Sequence, residues 1–358
     1  MISGSLFPKQ IMSEHGSDSS RAHFLGIHMI IYHTTHTNPY FNLASEQYLM
    51  DRNPTEPIFM LWRNEASVII GKNQNAYAEL DTEFVREKGI KVVRRLTGGG
   101  AVFHDLGNVN YTFIVPERKE IDFARFTEPV IAALRKLGME AALSGRNDIT
   151  VDGMKVSGNA ACVYNGCTMH HGTLLFSADL SNLAGALKPN PAKIRSKGIG
   201  SVRSRVTNIS EHLPTPMTAE VFLAFIESYA SVRYGVTPIS FTEAECAEIA
   251  ALAESRYSRW EWNFGMSKAF EAVYTHYFEF GTVEASVTLE QGMIKALSIG
   301  GDFFGTRDIT ELAESLIGIR CDSDSITAAL EALQMPLSDY ILGATPREIA
   351  SLICGELT

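Results

Sequence analysis

Three consecutive glycines, Gly98–Gly100, follow a pair of arginines and precede a strand-like segment, and they constrain this chain more than any other feature. A run of glycines lowers backbone order, so it is expected where the main chain must approach a ligand and direct its N–H groups at it. The flanking segments GIKVVRRL and GNVNYTFIVP have the apolar patterns of strands. The glycines are therefore predicted to join strand to strand in a loop that holds an anion.

This context excludes two common nucleotide-binding motifs. The dinucleotide fingerprint needs a strand, G-x-G-x-x-G and then a helix, and the Walker loop needs a lysine followed by Ser or Thr after the glycines. Arg94 and Arg95 would add fixed positive charge beside the loop. The alternative interpretation is a glycine-rich hairpin turn with a surface arginine pair.

Bulk composition indicates an ordinary globular protein. A chain of 358 residues with 45% hydrophobic and 20% charged residues is long enough for one large domain and a smaller one. No apolar run is long enough to span a membrane, and the first ten residues lack the pattern of a secretion signal, so we expect a cytoplasmic protein. Five cysteines without metal-type spacing predict reduced thiols and no structural metal.

The net charge of −10 is unevenly distributed. Residues 153–210 contain one acid and seven bases, so this segment carries +6 and the remainder −16. Such a segment can concentrate an anionic nucleotide or an acidic partner protein, although a solvated basic loop is the alternative. Nucleic acid is disfavoured as a partner because the pI is about 5.5 and no aromatic residues alternate with these bases.

The order of apolar patterns predicts an α+β fold. Strands come in groups with helices beside them, which favours mixed or antiparallel sheets flanked by helices. Residues 1–28 are predicted to be a flexible tail, and translation starting at Met29 is a hypothesis. We expect a catalytic domain over residues 29–268, with a boundary near Lys268, and a small α+β accessory domain over residues 269–358.

Lys155 is the basic residue best placed for chemistry. It follows Asp152-Gly153, a strong two-residue hairpin turn, and precedes small residues that leave room for a ligand. A lysine ammonium is a compact charge suited to a phosphate or a developing oxyanion. A surface charge on a hairpin is the alternative.

Seven segments together resemble the bacterial type of lipoate-protein ligase, from about Ile31 to the C-terminus. They occur in the order found in that family: NPYFNLASEQYL, LWRNEASVIIGKNQN, RRLTGGGAVFHDLGN, SGRNDITVDGMKVSGNA, HHGTLLFSADLSNL, KGIGSVRSRVTNI and WEWNFG. The resemblance implies a biotin/lipoate ligase-like fold and a two-step reaction with ATP. Lipoate is activated to lipoyl-AMP, and a lysine of an acceptor domain then attacks the mixed anhydride.

The resemblance also implies roles for individual residues. Lys155 is the catalytic residue, in contact with both the lipoyl carbonyl and the phosphate. The positions that match nucleotide-binding residues are Arg95, Gly98, Gly99, Gly100, Ala101, Val102, Phe103, Asn147, Asp148 and Lys155. The positions that match the lipoate pocket are Trp62, Arg95, Thr97, Gly100, Val102, His104, Lys155, Gly158 and His171. Core packing is the alternative role for Trp62.

Further expectations concern the ligands and partners. Mg²⁺ should accompany ATP, with Asp148 as its candidate contact or, alternatively, as a capping residue. The segment 189–205 resembles a loop that covers the adenylate, with Lys197, Ser201 and Arg205 as its contacts. Acceptors would be lipoyl domains of 2-oxoacid dehydrogenase E2 subunits and the glycine cleavage H protein. We expect a monomer.

Two other functions remain open at this point. An octanoyl or lipoyl transferase of the same fold would carry the acyl group on a cysteine, for which Cys162 and Cys167 are the formal candidates. The segment 191–200, where such enzymes tend to carry that cysteine, has none. The second alternative is a noncatalytic effector-binding protein, against which Lys155 and the glycine run both argue.

Overall fold

The structure is a computed structural model that describes residues 29–74, 76–117, 121–187, 206–264, 272–290 and 292–357. Its strands, in chain order, are β1 (Ile30–His33), β2 (Ile58–Arg63), β3 (Ser67–Ile70), β4 (Lys91–Arg94), β5 (Val102–His104), β6 (Asn108–Val115), β7 (Ala141–Ser144), β8 (Asp148–Val151), β9 (Met154–Tyr164), β10 (Cys167–Leu175), β11 (Ile239–Ser240), β12 (Ala272–Phe278), β13 (Gly281–Glu290) and β14 (Met293–Gly301).

The α-helices of the described part are α1 (Pro39–Asp51), α2 (Ala76–Glu79), α3 (Thr82–Glu87), α4 (Phe123–Lys136), α5 (Leu180–Ala186), α6 (Ala219–Tyr234), α7 (Glu243–Leu252), α8 (Trp260–Asn263), α9 (Ile309–Ser315), α10 (Ser323–Glu331), α11 (Leu337–Tyr340) and α12 (Pro346–Ile353). A 3₁₀ turn covers Ile209–His212, and a π-helical turn covers Ala253–Tyr257. In that part of the chain, no helix is long and apolar enough to cross a bilayer.

The strands form one large and two small sheets, as the α+β prediction requires. The large sheet has eight strands in the order β11-β1-β2-β6-β10-β9-β8-β7, parallel around β1 and antiparallel elsewhere. The small sheets have the orders β4-β3-β5 and β12-β13-β14. The expected mixture of sheets flanked by helices is confirmed, and so is a small antiparallel sheet near the C-terminus.

The predicted hairpin turn at Asp152-Gly153 is present, and a second one occurs at Asn165-Gly166. Asp152 and Gly153 have φ of 50° and 77°, and Asn165 and Gly166 have φ of 47° and 77°. Two successive positive φ values are the signature of the type I′ turn, whose twist matches that of the flanking strands. The first turn brings β9 back beside β8, and Lys155 is the second residue of β9.

Two apolar cores lie on opposite faces of the large sheet. One joins the sheet to α4 and α6 through residues such as Phe126, Val130 and Phe222. The other joins it to α1 and α7 through residues such as Leu49 and Ile249. All eight residues of β6 are buried. Four of them, Val109, Tyr111, Phe113 and Val115, enter the first core, and Ile114 enters the second. This packing makes the centre of the sheet a rigid platform for the strands β9 and β10 beside it.

The C-terminal strands and helices enclose a third core. Its members come from β12, β13, β14 and the helices α9 to α12. The predicted boundary residue, Lys268, and the predicted tail over residues 1–28 lie outside the described residues.

Candidate active site

The glycine run lies in a loop at one end of the small sheet β4-β3-β5. This loop, defined here as residues 95–101, leaves β4 and enters β5. The two strands flank β3 on opposite sides, β4 parallel to it and β5 antiparallel, so they do not pair with each other. The predicted connection of strand to strand is present, and the hairpin alternative is wrong.

Arg95 organises this glycine loop from within. Its guanidinium donates to the carbonyl oxygens of Gly98 at 2.7 Å and Gly100 at 2.9 Å, and its Nε donates to Thr97 Oγ1 at 2.8 Å. The residue is 5% exposed, and burial lowers its pKa to about 10, which still leaves it charged at neutral pH. The loop therefore contains a fixed buried cation.

Arg94 has a different role from the one expected. Its guanidinium donates to carbonyl oxygens of Gly71, Lys72 and Gln74 and to that of Asn263, and it is 1% exposed. Its hydrogen bonds are with these segments and not with the glycine loop that Arg95 contacts, because successive side chains leave an extended backbone on opposite sides. Arg94 instead ties the turn after β3 to α8.

Close backbone approach explains two of the three glycines. A Cβ on Gly98 would lie 2.3 Å from the carbonyl oxygen of Phe303, and Gly99 has φ of +90° with its N–H donating to that oxygen. The ring of Phe304 is 3.3 Å from the position of a Cβ on Gly99. The connection after β14 thus packs directly against the glycine loop.

Lys155 lies at an irregularity in the pairing of β8 with β9. Thr150 pairs with Lys155, but Ile149 pairs with Ser157, so Val156 is an extra residue on β9. Such a bulge bends the strand and redirects side chains. The Lys155 ammonium lies 2.7 Å from Asp148 Oδ1, and both side chains are 36% exposed. The ammonium is therefore both oriented and accessible.

A network of hydrogen bonds joins the glycine loop to the strand beside β9. Thr97 Oγ1 lies 2.8 Å from His171 Nε2 on β10, and His171 Nδ1 lies 2.8 Å from Glu46 Oε1 on α1. The Glu46 carboxylate also accepts from Thr112 Oγ1 at 2.6 Å. Thr112 in turn accepts from Trp62 Nε1 at 2.9 Å. Four residues expected at the lipoate pocket, Trp62, Arg95, Thr97 and His171, therefore belong to one network.

Glu46 is the member of this network that the sequence analysis missed. It is 1% exposed on a helix whose residues 41–50 are all buried. A buried carboxylate requires hydrogen-bond donors, and His171 and Thr112 supply them. The sequence signal was a glutamate inside the otherwise uncharged segment NPYFNLASEQYLM.

A second set of contacts joins the glycine loop to the turn before β8. The Phe304 ring that packs against Gly99 also contacts Arg146. The guanidinium carbon Cζ of Arg146 lies 4.5 Å from the centroid of this ring. Asn147 follows Arg146 and donates through its side chain to the carbonyl of Asn159. Asp148 and Lys155 come next to this turn, since Asp148 pairs with Gly158 across the strands. The glycine loop is thus linked both to the strand next to β9 and to the turn that leads into Asp148.

Trp62, Val102 and His104, which are also expected at the lipoate pocket, pack close to one another. Trp62 is 2% exposed and Val102 is partly buried, and both belong to the core on the α1 side of the sheet. His104 lies 6.0 Å from the Trp62 ring, edge on, and its Nδ1 is 3.1 Å from the Asn64 amide. Burial lowers the pKa of His104 to about 3, so it is neutral.

Cys162 and Cys167 lack the properties of nucleophiles. They are 6% and 3% exposed. Burial raises the pKa of the Cys162 thiol to about 12 and also raises that of Cys167. Reactive cysteines have lowered pKa values in partly exposed, electropositive surroundings.

The expected adenylate-covering residues Lys197, Ser201 and Arg205 lie outside the described residues, as do six of the seven bases of the segment 153–210. Within the described ranges, no three His, Cys, Asp or Glu side chains come together as a metal site. Asp148 brings a single carboxylate, paired with Lys155.

Two family models match the chain. A model of the lipoyl protein ligase A/B catalytic domain matches residues 38–230, and a model of the bacterial lipoate protein ligase C-terminus matches residues 267–353. The lipoate-protein ligase LplJ of Bacillus subtilis (strain 168) is 41% identical over 322 residues, which cover 88% of this chain and 97% of the relative.

Solved structures of similar fold include three that were determined with ligands or partners. LipL1 of P. falciparum, in complex with lipoate, has a TM-score of 0.75 and 28% identity, covering 91% of this chain and 99% of that chain. A bipartite lipoate protein ligase and its E2 lipoyl domain from Thermoplasma acidophilum match with a TM-score of 0.58 and 28% identity, covering 68% and 98%. A lipoate-protein ligase A bound with ATP matches with a TM-score of 0.56 and 27% identity, covering 67% and 98%.

Proposed function

The chain belongs to the lipoyl protein ligase A/B family, and on that premise we propose that it joins lipoate to acceptor proteins in two ATP-dependent steps. In the first step, the lipoate carboxylate attacks the α-phosphorus of ATP to form lipoyl-AMP and release pyrophosphate. In the second, a lysine amine of the acceptor attacks the lipoyl carbonyl carbon, which forms an amide and releases AMP and a proton.

One observation carries this proposal. Thr97 of the glycine loop contacts both Arg95 and His171, and His171 lies on the strand next to that of Lys155. We propose that the buried cation, the glycine backbone and the accessible ammonium together form one site. Such an arrangement suits an acyl phosphate, because all of these groups stabilise negative charge.

Lys155 serves both steps in this proposal. Negative charge develops on the α-phosphate oxygens in the first step and on the lipoyl carbonyl oxygen in the second. An ammonium already oriented by Asp148 can interact with both positions without large rearrangement. The nucleotide would lie against the backbone of residues 98–103 and the turn at Asn147 and Asp148.

Lipoate would bind along the wall formed by Trp62, Val102 and His104. Its apolar chain suits that wall, while its carboxylate would be directed at Gly158 and Lys155. A neutral His104 places no charge beside the chain of the substrate. The network from Trp62 to Arg95 would hold the wall and the glycine loop in register.

We propose that Mg²⁺ binds together with ATP and that Asp148 contacts the ion. Mg²⁺ is usually held by one or two carboxylates together with substrate phosphates, and Asp148 offers one carboxylate beside Lys155. Bound there, the ion would supply charge neutralisation on the phosphates. Asp148 would then contact the metal and orient Lys155.

The acceptors in this proposal are lipoyl domains of 2-oxoacid dehydrogenase E2 subunits and the glycine cleavage H protein. The Thermoplasma acidophilum ligase that resembles this chain was solved with its E2 lipoyl domain, which supports acceptors of this class. We further propose a catalytic domain ending near residue 268, a small accessory domain after it, and a monomer that functions in the cytoplasm. The match to the C-terminal family model begins at residue 267, next to the proposed boundary, whereas the match to the catalytic model ends at residue 230.

The transferase alternative is disfavoured by Cys162 and Cys167, which are buried and have raised pKa values. The proposal is tested by incubating the full chain with lipoate, ATP, Mg²⁺ and an unmodified lipoyl domain, and by recording the mass of the acceptor. We expect the mass of one lipoyl group to be added only when every component is present. An acceptor that is modified without ATP would contradict the ligase, and one that is never modified would favour a noncatalytic protein.

A further inference from the structure

Lys155 has an unusual backbone environment. Lys155 pairs with Thr150 of β8, and the bulge at Val156 follows it directly. On its other side, Lys155 bridges to Val206, and its carbonyl oxygen accepts from the N–H of Thr207 at 3.0 Å. Because a bulge bends the strand locally, these contacts on the other side help to fix the backbone at Lys155.

Thr207 is itself held by a cluster of polar side chains. It is 3% exposed, and its Oγ1 lies 3.1 Å from His212 Nε2 and donates to Glu211 Oε2 at 3.1 Å. His212 lies at the end of the 3₁₀ turn, and its Nδ1 is 2.7 Å from Asp152 Oδ2. Asp152 belongs to the hairpin turn that precedes Lys155.

These contacts close a ring around the segment 152–155. The side chain at its first residue, Asp152, is tied to His212, and the carbonyl at its last residue, Lys155, is tied to Thr207. His212 and Thr207 are in turn joined by their side chains. Both ends of the segment are therefore anchored to the same short stretch, residues 207–212.

We infer that His212 is a positioning residue for the ligase reaction, which holds Lys155 in place through Asp152 and Thr207. The inference rests on the proposed role of Lys155. His212 would not touch the substrates, so its removal should misplace the ammonium without removing it. Small displacements of a charge-stabilising group lower kcat more than they weaken binding, because the geometry matters most in the transition state.

The chain offers a matched control for this residue. His33 on β1 makes the same kind of contact, with its Nδ1 2.6 Å from Glu227 Oε2 on α6. Three strands of the large sheet, β2, β6 and β10, separate β1 from β9. A variant at His33 therefore loses a histidine–carboxylate pair of similar length without disturbing the segment 152–155.

The test measures lipoate-dependent ATP–pyrophosphate exchange by the full chain and its variants. We expect His212→Ala to lower kcat roughly 10- to 100-fold with KM for lipoate and ATP changed much less, while His33→Ala keeps kcat near that of the wild type. Thr207→Val keeps the backbone N–H and the side-chain shape but removes Oγ1. Like His212→Ala, it should lower kcat. This variant also decides the matter if His212→Ala fails to fold.

A double variant separates positioning from general damage. If His212 acts through Lys155, adding His212→Ala to Lys155→Ala should lower the remaining rate by less than about twofold, since interacting residues are not additive. If His212→Ala lowers the rate by the same factor in the wild type and in Lys155→Ala, the inference is overturned, but the proposed function is not. The same holds if His212→Ala and His33→Ala have equal rates. A wild-type chain without any exchange activity would instead overturn the proposed function.

Discussion

Lys155 depends on its surroundings more than an ordinary surface lysine does. It lies next to the bulge at Val156 in the β8–β9 ladder, its ammonium pairs with Asp148, and its carbonyl oxygen accepts from the N–H of Thr207. A lysine that is only a solvated surface charge on a hairpin needs none of these contacts. The position of this one ammonium is therefore fixed by several neighbours at once.

Replacing this ammonium should therefore have a specific effect. We expect Lys155→Ala to lower turnover by about two to four powers of ten, the scale of losing a charge-stabilising donor. Lys91→Ala is the control, because Lys91 is 35% exposed and pairs with Glu65 at 2.6 Å, much as Lys155 pairs with Asp148. Single-turnover formation of lipoyl-AMP measures the difference, and similar rates for the two variants would refute the role of Lys155.

The two buried cysteines should be dispensable for the chemistry. Because burial raises the pKa of Cys162 to about 12, we expect the double variant Cys162→Ala, Cys167→Ala to retain most of its lipoate transfer to a lipoyl domain. Acceptor mass spectrometry is the measurement. A complete loss of transfer by a variant that remains folded would revive the thioester mechanism.

Single residues differ in how far their roles can be predicted from sequence. Lys155 could be recognised because the Asp152-Gly153 turn fixes where the returning strand starts. Composition alone does not distinguish Arg94 from Arg95, but the resemblance selects Arg95, and alternation along an extended backbone directs the two side chains to opposite sides. Glu46 could not be predicted, since its partners Thr112 and His171 are distant in sequence.

At the scale of elements, the glycine loop is confined on several sides. Gly98 and Gly99 are pressed against Phe303 and Phe304, and a Cβ on Gly71 would lie 2.0 Å from the carbonyl oxygen of Gly99. Arg95 holds the loop carbonyls from inside. The loop is thus a packed structure whose shape depends on the absence of side chains.

A side chain in this loop should impair nucleotide binding specifically. Gly99 has φ of +90° and Gly166 has φ of +77°, so valine is strained by about 1–2 kcal/mol at either position. Only at Gly99 would Cβ also approach Arg95 Nη2 at 2.9 Å, whereas nothing lies near Gly166. We expect Gly99→Val to weaken ATP binding in calorimetry and Gly166→Val to leave it unchanged. Equal affinities would show that the nucleotide binds elsewhere.

Local signals predicted elements well where capping or turn residues were strong. Asn38 and Asp122 cap α1 and α4, because their side chains accept from backbone N–H groups of the first turn. Thr242 and Glu245 form a capping box at the start of α7, which is another local signal of a helix. The bulge at Val156 carries no local signal, since it depends on pairing between two strands.

At the scale of the whole molecule, two buried histidines make stability depend on pH. His170 is fully buried, stacks on Phe126 at 5.2 Å, and its ring nitrogens meet no partner in another described residue. Burial lowers the pKa of both His170 and His104 to about 3. Below pH 6.5 the unfolded chain therefore binds protons that the folded chain does not, and the folded state loses stability as the pH falls.

His170→Phe isolates this effect. Each of the two histidines should lower the free energy of unfolding by up to about 1.4 kcal/mol per pH unit as the pH falls from 6.5 towards 3. The phenylalanine variant should lose less stability between pH 7 and pH 5 than the wild type, as measured by the free energy of unfolding in urea. An unchanged pH dependence would show that His170 titrates normally in the folded protein.

The global architecture was predictable in class but not in arrangement. Grouped strands with adjoining helices indicated an α+β fold, and the sheet orders agree with it. The packing of Phe303 and Phe304 against Gly98 and Gly99 was not predictable, because these phenylalanines look like ordinary apolar residues after a strand. Contacts between segments some 200 residues apart carry no signal in a single sequence.

The central claim is that the glycine loop and Lys155 converge on one acyl phosphate. A crystal structure of the full chain with lipoyl-AMP tests it most directly. The account predicts that the phosphate lies against the backbone of Gly98–Gly100 and that Lys155 Nζ lies within hydrogen-bond distance of both the phosphate and the lipoyl carbonyl oxygen. Lipoyl-AMP bound away from either element, with Lys155 still paired only to Asp148, would contradict it.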